Sequence, residues 1–234
     1  MTAPNTEATA DDVKTATAEA RNRAFTPENI PEELRSRAQW VAWRYAISHG
    51  RLTKVPVSAL TGRNASTTDA GTWAPFSVAR DAVARNPSLA GVGFVFSPDD
   101  PFCGIDLDHG RNPETGEIAP WAQEAIDLLG SYCEISPSQT GVKIWARARL
   151  PGKGRKKYGA DGNAIEMYDR GRFFTVTSQA LPGFSLDAES RQEQFDRLYQ
   201  AVFGAEENDL PLTPDPPSAP RSAPTHSTGQ FDSE

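Results

Sequence analysis

Hydrophobic positions along the chain recur with two periods, one of two residues and one near 3.6, and the two alternate. QWVAWRYAI (39–47) interleaves bulky apolar and polar side chains, as a strand with one buried face does. TKVPVS (53–58) can return beside it as a hairpin. GVGFVF (91–96) and CGIDLD (103–108) are apolar runs of strand length, separated by the turn-forming SPDDPF. IAPWAQEAIDLLG (118–130) places Ile118, Trp121, Ala125, Ile126 and Leu129 at helical spacing and stops at Gly130. YCEIS, VKIWARA, AIEMYD and RFFTVTS then read as strands, and Leu186–Phe203 as a closing amphipathic helix. Pro31-Glu32-Glu33-Leu34 has proline and acids where a first helical turn favours them. GRNASTTDAGTW (62–73) is loop chemistry, followed by a short helix through Ala74–Arg85. The sum is an α+β domain with a mixed, largely antiparallel sheet flanked by helices.

The two ends break this rhythm. Residues 1–25 offer Ala, Thr, Asn and acids with little to bury, which predicts a disordered or frayed N-terminal extension. Residues 26–205 carry the periodic pattern of one folded domain. Beyond it, 206–234 holds six prolines (Pro211, Pro214, Pro216, Pro217, Pro220, Pro224) among Ser, Ala and Thr, the composition of a linker or extended tail. Such ends account for a content of only 38% hydrophobic residues in 234.

Charge and cysteine usage narrow the class. No basic segment followed by an apolar one marks a secretory leader, and no apolar run approaches the roughly 20 residues of a membrane helix. Cys103 and Cys133 belong to no CxxC or Cys/His cluster, so they read as buried small hydrophobes in a reducing compartment. These features predict a soluble, cytoplasmic protein with no membrane partner. The formal charge of −7 argues against a nucleic-acid binder, but the average hides a reversal. Between Lys143 and Arg172 nine basic residues face three acids, Asp161, Glu166 and Asp169, so this segment is +6 (9 − 3). Within it, GKGRKKYG has the loop-like, basic character of a contact to backbone phosphates through Lys153, Arg155, Lys156 and Lys157, or of a solvated loop.

The densest chemistry lies in GIDLDHG. On a strand Asp106 and Asp108 project to one face, with Cα atoms about 6.5–7 Å apart, while Ile105 and Leu107 pack behind. Two carboxylates on one face repel and are costly to desolvate, and a divalent cation removes both penalties. A strand end entering a turn is the other source of such a pair. AIEMYD adds a third carboxylate, since Ile165 and Met167 facing the core leave Glu166 and Tyr168 opposite, where Glu166 is either part of the site or a solvated residue on a half-exposed sheet. Three carboxylates on matching faces of neighbouring strands form a two-metal platform for phosphoryl transfer. Asp169, at the strand exit, is explained by the turn. SPSQTG (136–141) is a small-residue loop whose amides and hydroxyls can cradle phosphate beside Lys143, or a simple hairpin connection. Trp40, Trp43, Tyr45, Phe173 and Phe174 are core candidates, with one or two available to stack on bases.

With the segments NIPEELRSRAQWVAWRY, TKVPVSALTGRNASTTDAGTW, GVGFVFSPDDPFCGIDLDHG, SYCEISPSQTGVKIWARA and IEMYDRGRFFTVTS in this order, the chain resembles the primase-polymerase branch of the archaeo-eukaryotic primase superfamily, as found in phage and plasmid replication proteins. The resemblance runs from about Asn29 to Phe203. It implies that Asp106, Asp108 and Glu166 hold catalytic Mg²⁺ or Mn²⁺, and that Ser138, Thr140, Lys143 and Arg172 bind the nucleotide. Lys143 stands where the family places a histidine: it still neutralises phosphate but lacks a ring nitrogen. Thr177-Ser178-Gln179 likewise departs from the usual Thr-Gly-His, and no role is assigned there. The implied activity is template-directed nucleotidyl transfer on single-stranded DNA with nucleoside triphosphates, with a replicative helicase as a common partner. No GxxxxGK[ST] occurs in these residues. Two alternatives stay open, a weakened module that binds nucleotide or nucleic acid without synthesis, and a metal-dependent nuclease.

Overall fold

A computed structural model describes residues 7–159 and 161–204; the Pro-rich stretch at 206–234 lies outside them. The described residues build two sheets, with every ladder in them antiparallel. The hairpin expected at 39–58 forms between β1 (Trp40–Ser48) and β2 (Arg51–Val57), closed by His49 and Gly50 in the left-handed region. With β3 (Gly91–Val95) and β9 (Phe173–Val176) it makes a four-stranded sheet ordered β2-β1-β3-β9. The other sheet has the order β5-β6-β4-β8-β7, from β4 (Phe102–Asp108), β5 (Cys133–Ile135), β6 (Val142–Arg147), β7 (Arg155–Tyr158) and β8 (Ala164–Tyr168). The α+β class therefore holds, with the strands divided between two sheets rather than gathered in one.

Side-chain alternation gives the five-stranded sheet two different faces. Cys103, Ile105, Leu107, Ile144 and Met167 pack against α4 (Pro120–Leu129) and α5 (Gln192–Phe203). Gly130 ends α4 in the left-handed conformation that favours glycine. On the opposite face Phe102, Trp145 and Tyr168 meet Phe94 and Phe174 of the four-stranded sheet and Phe96 just beyond β3. These rings meet edge to face, Phe96–Phe174 at 4.9 Å and Trp145–Phe174 at 5.5 Å between centroids. Gly104 lets them close: a Cβ there would lie 2.4 Å from Phe96 and 2.5 Å from Phe174. α3 (Phe76–Arg85) and the single turn α2 (Glu32–Arg35) complete this core through Phe76, Ala79 and Leu34.

Two expectations need correction. Part of the segment expected to be disordered or frayed carries a capped helix, α1 (Ala10–Asn22). Thr9 Oγ1 accepts from the Asp12 amide at 3.3 Å, and Asp12 accepts from the Thr9 amide at 2.7 Å. Val13, Ala16 and Ala20 lie against Trp43 and Tyr45, while Arg21 donates to the carbonyls of Val83 and Leu89, both at 2.8 Å. Small side chains suffice because the partner surface is aromatic. The closing helix starts at Gln192, not near Leu186. Glu189 is held beside the five-stranded sheet, its carbonyl accepting from Arg147 N at 2.8 Å and its amide donating to Ser131 Oγ at 2.9 Å.

Candidate active site

Register places one charged residue from each of five strands in a single row. Glu134 (β5) pairs with Lys143 (β6), Lys143 with Asp106 (β4), Asp106 with Glu166 (β8), and Glu166 with Lys156 (β7). Directly opposed residues share a face, so all five project to the side that confronts the other sheet. Asp108 lies one pleat further along β4, on the same side. The structure thus puts Asp106, Asp108 and Glu166 on one face of neighbouring strands.

Two lysines hold these carboxylates. Lys143 is only 4% exposed, donates from Nζ to Asp106 Oδ2, and sits 4.4 Å from the centroid of Phe174. Lys156 Nζ donates to Glu166 Oε1 and stands 3.7 Å from Asp108 Oδ2. Burial alone would lower the Lys156 pKa, but the charge and hydrogen bond of Glu166, with Asp108, outweigh it and raise it. The Asp108 pKa is raised, first by burial and then by the Asp106 and Glu166 charges, with Lys143 and Lys156 opposing. Lys54, half-buried on β2, reaches the same group from the other sheet. Burial and then Lys143 lower its pKa, against Asp106, Asp108 and Glu166. Glu166 Oε2 accepts from the Tyr168 hydroxyl at 2.7 Å, and Arg172 lies 5.0 Å from that tyrosine's ring centroid. Arg172 is therefore tied to the carboxylates through Tyr168.

Among the described residues no group of three or more His, Cys, Asp and Glu is gathered tightly enough to hold a metal ion, and Lys143 and Lys156 each engage a carboxylate oxygen of the row. The donor chemistry nonetheless suits a hard cation. Asp106 Oδ1 is buried without a hydrogen-bond partner, facing a cluster with two further carboxylates, and oxygen donors are what Mg²⁺ and Mn²⁺ take.

The loop at 136–141 abuts this cluster. A Cβ on Gly141 would lie 2.8 Å from the Leu107 carbonyl and 3.5 Å from Asp108 Cα, so only glycine lets the loop approach so closely. Ser136, Ser138 and Thr140 hydroxyls form a chain with links of 2.9 Å, and Arg111 pins the loop by donating to the Gln139 carbonyl at 2.8 Å. Ser138 is exposed and Thr140 half-buried. Lys143 points away from these hydroxyls to Asp106, so its charge serves the carboxylates first.

The basic stretch divides by strand alternation, and its expected loop is the edge strand β7. Arg155 and Lys157 turn to the helix side, donating to the Phe203 carbonyl at 3.3 Å and the Val202 carbonyl at 3.0 Å, where the end of α5 favours cations. Lys156 enters the carboxylate row, and Lys153 alone of the four is exposed. Asp169 is buried, its carboxylate taking two hydrogen bonds from Arg170 and one from the Leu150 amide at 3.3 Å, which ties the exit of β8 to a segment nineteen residues earlier. Trp40, Trp43, Tyr45 and Phe174 are core, and Phe173 is half-buried.

Sequence reasoning missed Lys54 and Glu134. Glu134 is fully buried and accepts from the Tyr132 hydroxyl and from the amides of Thr177 and Ser178 at 2.7–2.9 Å, and burial raises its pKa to about 7. The signal for Glu134 was present, a lone acid inside the apolar YCEIS. Lys54 carried no such signal, since its place depends on how the two sheets face.

No family model matches the chain. A DNA primase-polymerase of Nitratiruptor phage NrS-1 is 36% identical over 148 residues, which is 62% of this chain and 20% of that protein. The chain thus spans about a fifth of the length of the curated relative it matches. The likeness read from the motif segments is matched by a phage protein that carries that name.

Proposed function

We propose that this chain is a template-directed nucleotidyltransferase, a DNA primase-polymerase module of a phage, plasmid or other mobile element. The observation that carries the reading is the Asp106–Glu166 cross-strand pair with Asp108 beside it, on a face recessed between two sheets. Mg²⁺ or Mn²⁺ held by Asp106, Asp108 and Glu166 would lower the pKa of the attacking 3′-hydroxyl and neutralise charge on the phosphates. The chain's own residues do the rest. Exposed Ser138 and half-buried Thr140, on a loop fixed by Arg111, orient the triphosphate beside Asp108. Lys143 and Lys54 supply positive charge next to the carboxylates, and Lys143 holds the Asp106 carboxylate in place until the site is loaded. Arg172, through Tyr168, holds Glu166 in its rotamer. The exposed Lys153 contacts the template backbone. A replicative helicase is the partner that would expose single-stranded template.

A second reading, a module that binds nucleotide or nucleic acid without synthesis, is favoured by the lysine closure of Asp106 and Glu166. One assay separates them: single-stranded template, labelled nucleotides and Mg²⁺ or Mn²⁺, with and without primer, for wild type and Asp106→Ala/Asp108→Ala. Products made by wild type and lost in the double variant support the polymerase. Binding of oligonucleotide with no product from wild type overturns it in favour of the second reading.

A further inference from the structure

The row through Asp108 ends differently from the row through Asp106. Asp108 pairs with Ala164 on β8, and Ala164 pairs with Tyr158 on β7, so Tyr158 belongs to the same face as the carboxylates. Two strand spacings separate the ends of this row, about 9–10 Å, with only a methyl group between. Tyr158 is 69% exposed, the most exposed large hydrophobic side chain among the described residues. Its ring centroid lies 4.8 Å from Lys156 Nζ, the ammonium that also binds Glu166. Apart from that cation contact the ring is left in water on an edge strand and buries little for the fold, and it stands at the rim of the proposed catalytic face.

We infer that Tyr158 is the platform on which a base of the nucleic-acid strand stacks as that strand enters the carboxylate site. The inference rests on the reading of that site as a nucleotidyltransferase centre. Position selects the strand over the free nucleotide. The phosphate-cradling loop at 136–141 lies on the β6 side of Asp108, whereas Tyr158 lies on the far side, beyond β8. There the exposed Lys153 precedes β7, and Lys156 beneath the ring adds positive charge, the pairing of aromatic ring and cation that single strands use. The distance from Asp108 equals about two to three base steps of a stacked strand. Ala164 leaves that path clear, and β7, as the edge of the sheet, leaves it open to solvent.

The test measures affinity for a fluorescein-labelled single-stranded 12-mer by anisotropy across a salt series, alongside primer extension and nucleotide KM. Wild type, Tyr158→Ala, Tyr158→Phe and Lys153→Ala are compared, with melting temperature as a check that the exposed substitution leaves the fold intact. Tyr158→Ala is expected to weaken binding roughly 5- to 150-fold with an unchanged salt slope, because stacking releases no counterion. Tyr158→Phe should bind like wild type, and Lys153→Ala should lower the salt slope by about one. Equal affinity of wild type and Tyr158→Ala overturns the inference, as does a change confined to nucleotide KM. An equal loss in Tyr158→Phe overturns it too, since it assigns the contact to the hydroxyl. Wild type that shows the Tyr158 effect on binding yet extends no primer leaves the stacking platform standing and removes the polymerase reading alone.

Discussion

Lys143 stands directly opposite Asp106 across the β4–β6 ladder and donates to its carboxylate in a place where both side chains are almost wholly buried. Removing the cation strands a buried negative charge. Lys143→Ala is expected to lose about 3–5 kcal/mol of stability in EDTA, read by urea denaturation. Millimolar Mg²⁺ should restore more stability to the variant than it adds to wild type, because an ion at Asp106 takes over the missing charge. Equal Mg²⁺ effects on both proteins would show that Lys143 and the ion do not share Asp106.

Asp108 offers the reverse trade. Its raised pKa means the folded protein disfavours the ionised form, so a neutral isostere relieves the cluster. Asp108→Asn should melt higher than wild type without metal, yet lose about 10²-fold or more in nucleotide incorporation, as deletion of a preorganised charge contact does. Magnesium affinity of wild type should also weaken as pH falls toward the carboxylate range, and this dependence should shrink in the variant. A lower melting point for Asp108→Asn would show that the carboxylate stabilises the empty site.

Glu134 carries a pH signature of its own. Its folded pKa, about 7, lies above the ordinary 4.5, so the folded chain binds a proton there more tightly than the unfolded chain. That stabilisation is full below pH 4.5 and is lost as pH rises to about 7, amounting to a few kcal/mol at most (about 1.4 per unit). Subtracting the stability profile of Glu134→Gln should isolate this falling slope. At low pH the variant should also be less stable, since one amide hydrogen must face a backbone donor of Thr177 or Ser178 at a cost of about 1–3 kcal/mol, and this deficit should shrink as pH rises toward 7. Parallel profiles for the two proteins would place the titration elsewhere.

Gly104→Ala tests the closure of the sheets. The added methyl meets Phe96 and Phe174 well inside contact distance, and both rings are already enclosed. The expected cost is about 1–3 kcal/mol or more, with reduced activity because Asp106 lies two residues along the same face. Unaltered stability and kinetics would mean the aromatic core yields at no cost.

The carboxylate face was readable because strand alternation needs only local sequence: Asp106, Asp108 and Glu166 oppose Ile105, Leu107, Ile165 and Met167 at period two. Local sequence does not contain register, so the pairing of Lys156 with Glu166 was hidden inside a run of four basic residues read as a loop. That run alternates too, but its two faces meet a helix end and an acidic site, and both want cations. The N-terminal segment read as disordered or at best a frayed helix because Val13, Ala16 and Ala20 are a weak stripe, although Thr9 and Asp12 spelled the capping box that fixes α1. Lys54 was out of reach of any local reading, since it acts across the gap between two sheets.

The partnership of β3 with β9 has a consequence for synthesis of the chain on the ribosome. Val92 pairs with Val176, so the first sheet waits on residues made more than eighty positions later. Phe174, which covers Lys143 and fills the space above Gly104, arrives with that last strand. Until then the nascent chain has its carboxylates but no roof over the ammonium that neutralises Asp106. Folding of this topology is correspondingly non-local and slow. The carboxylate face is therefore assembled as a late event in biogenesis, and a chain arrested before β9 carries the acidic residues without their surrounding structure.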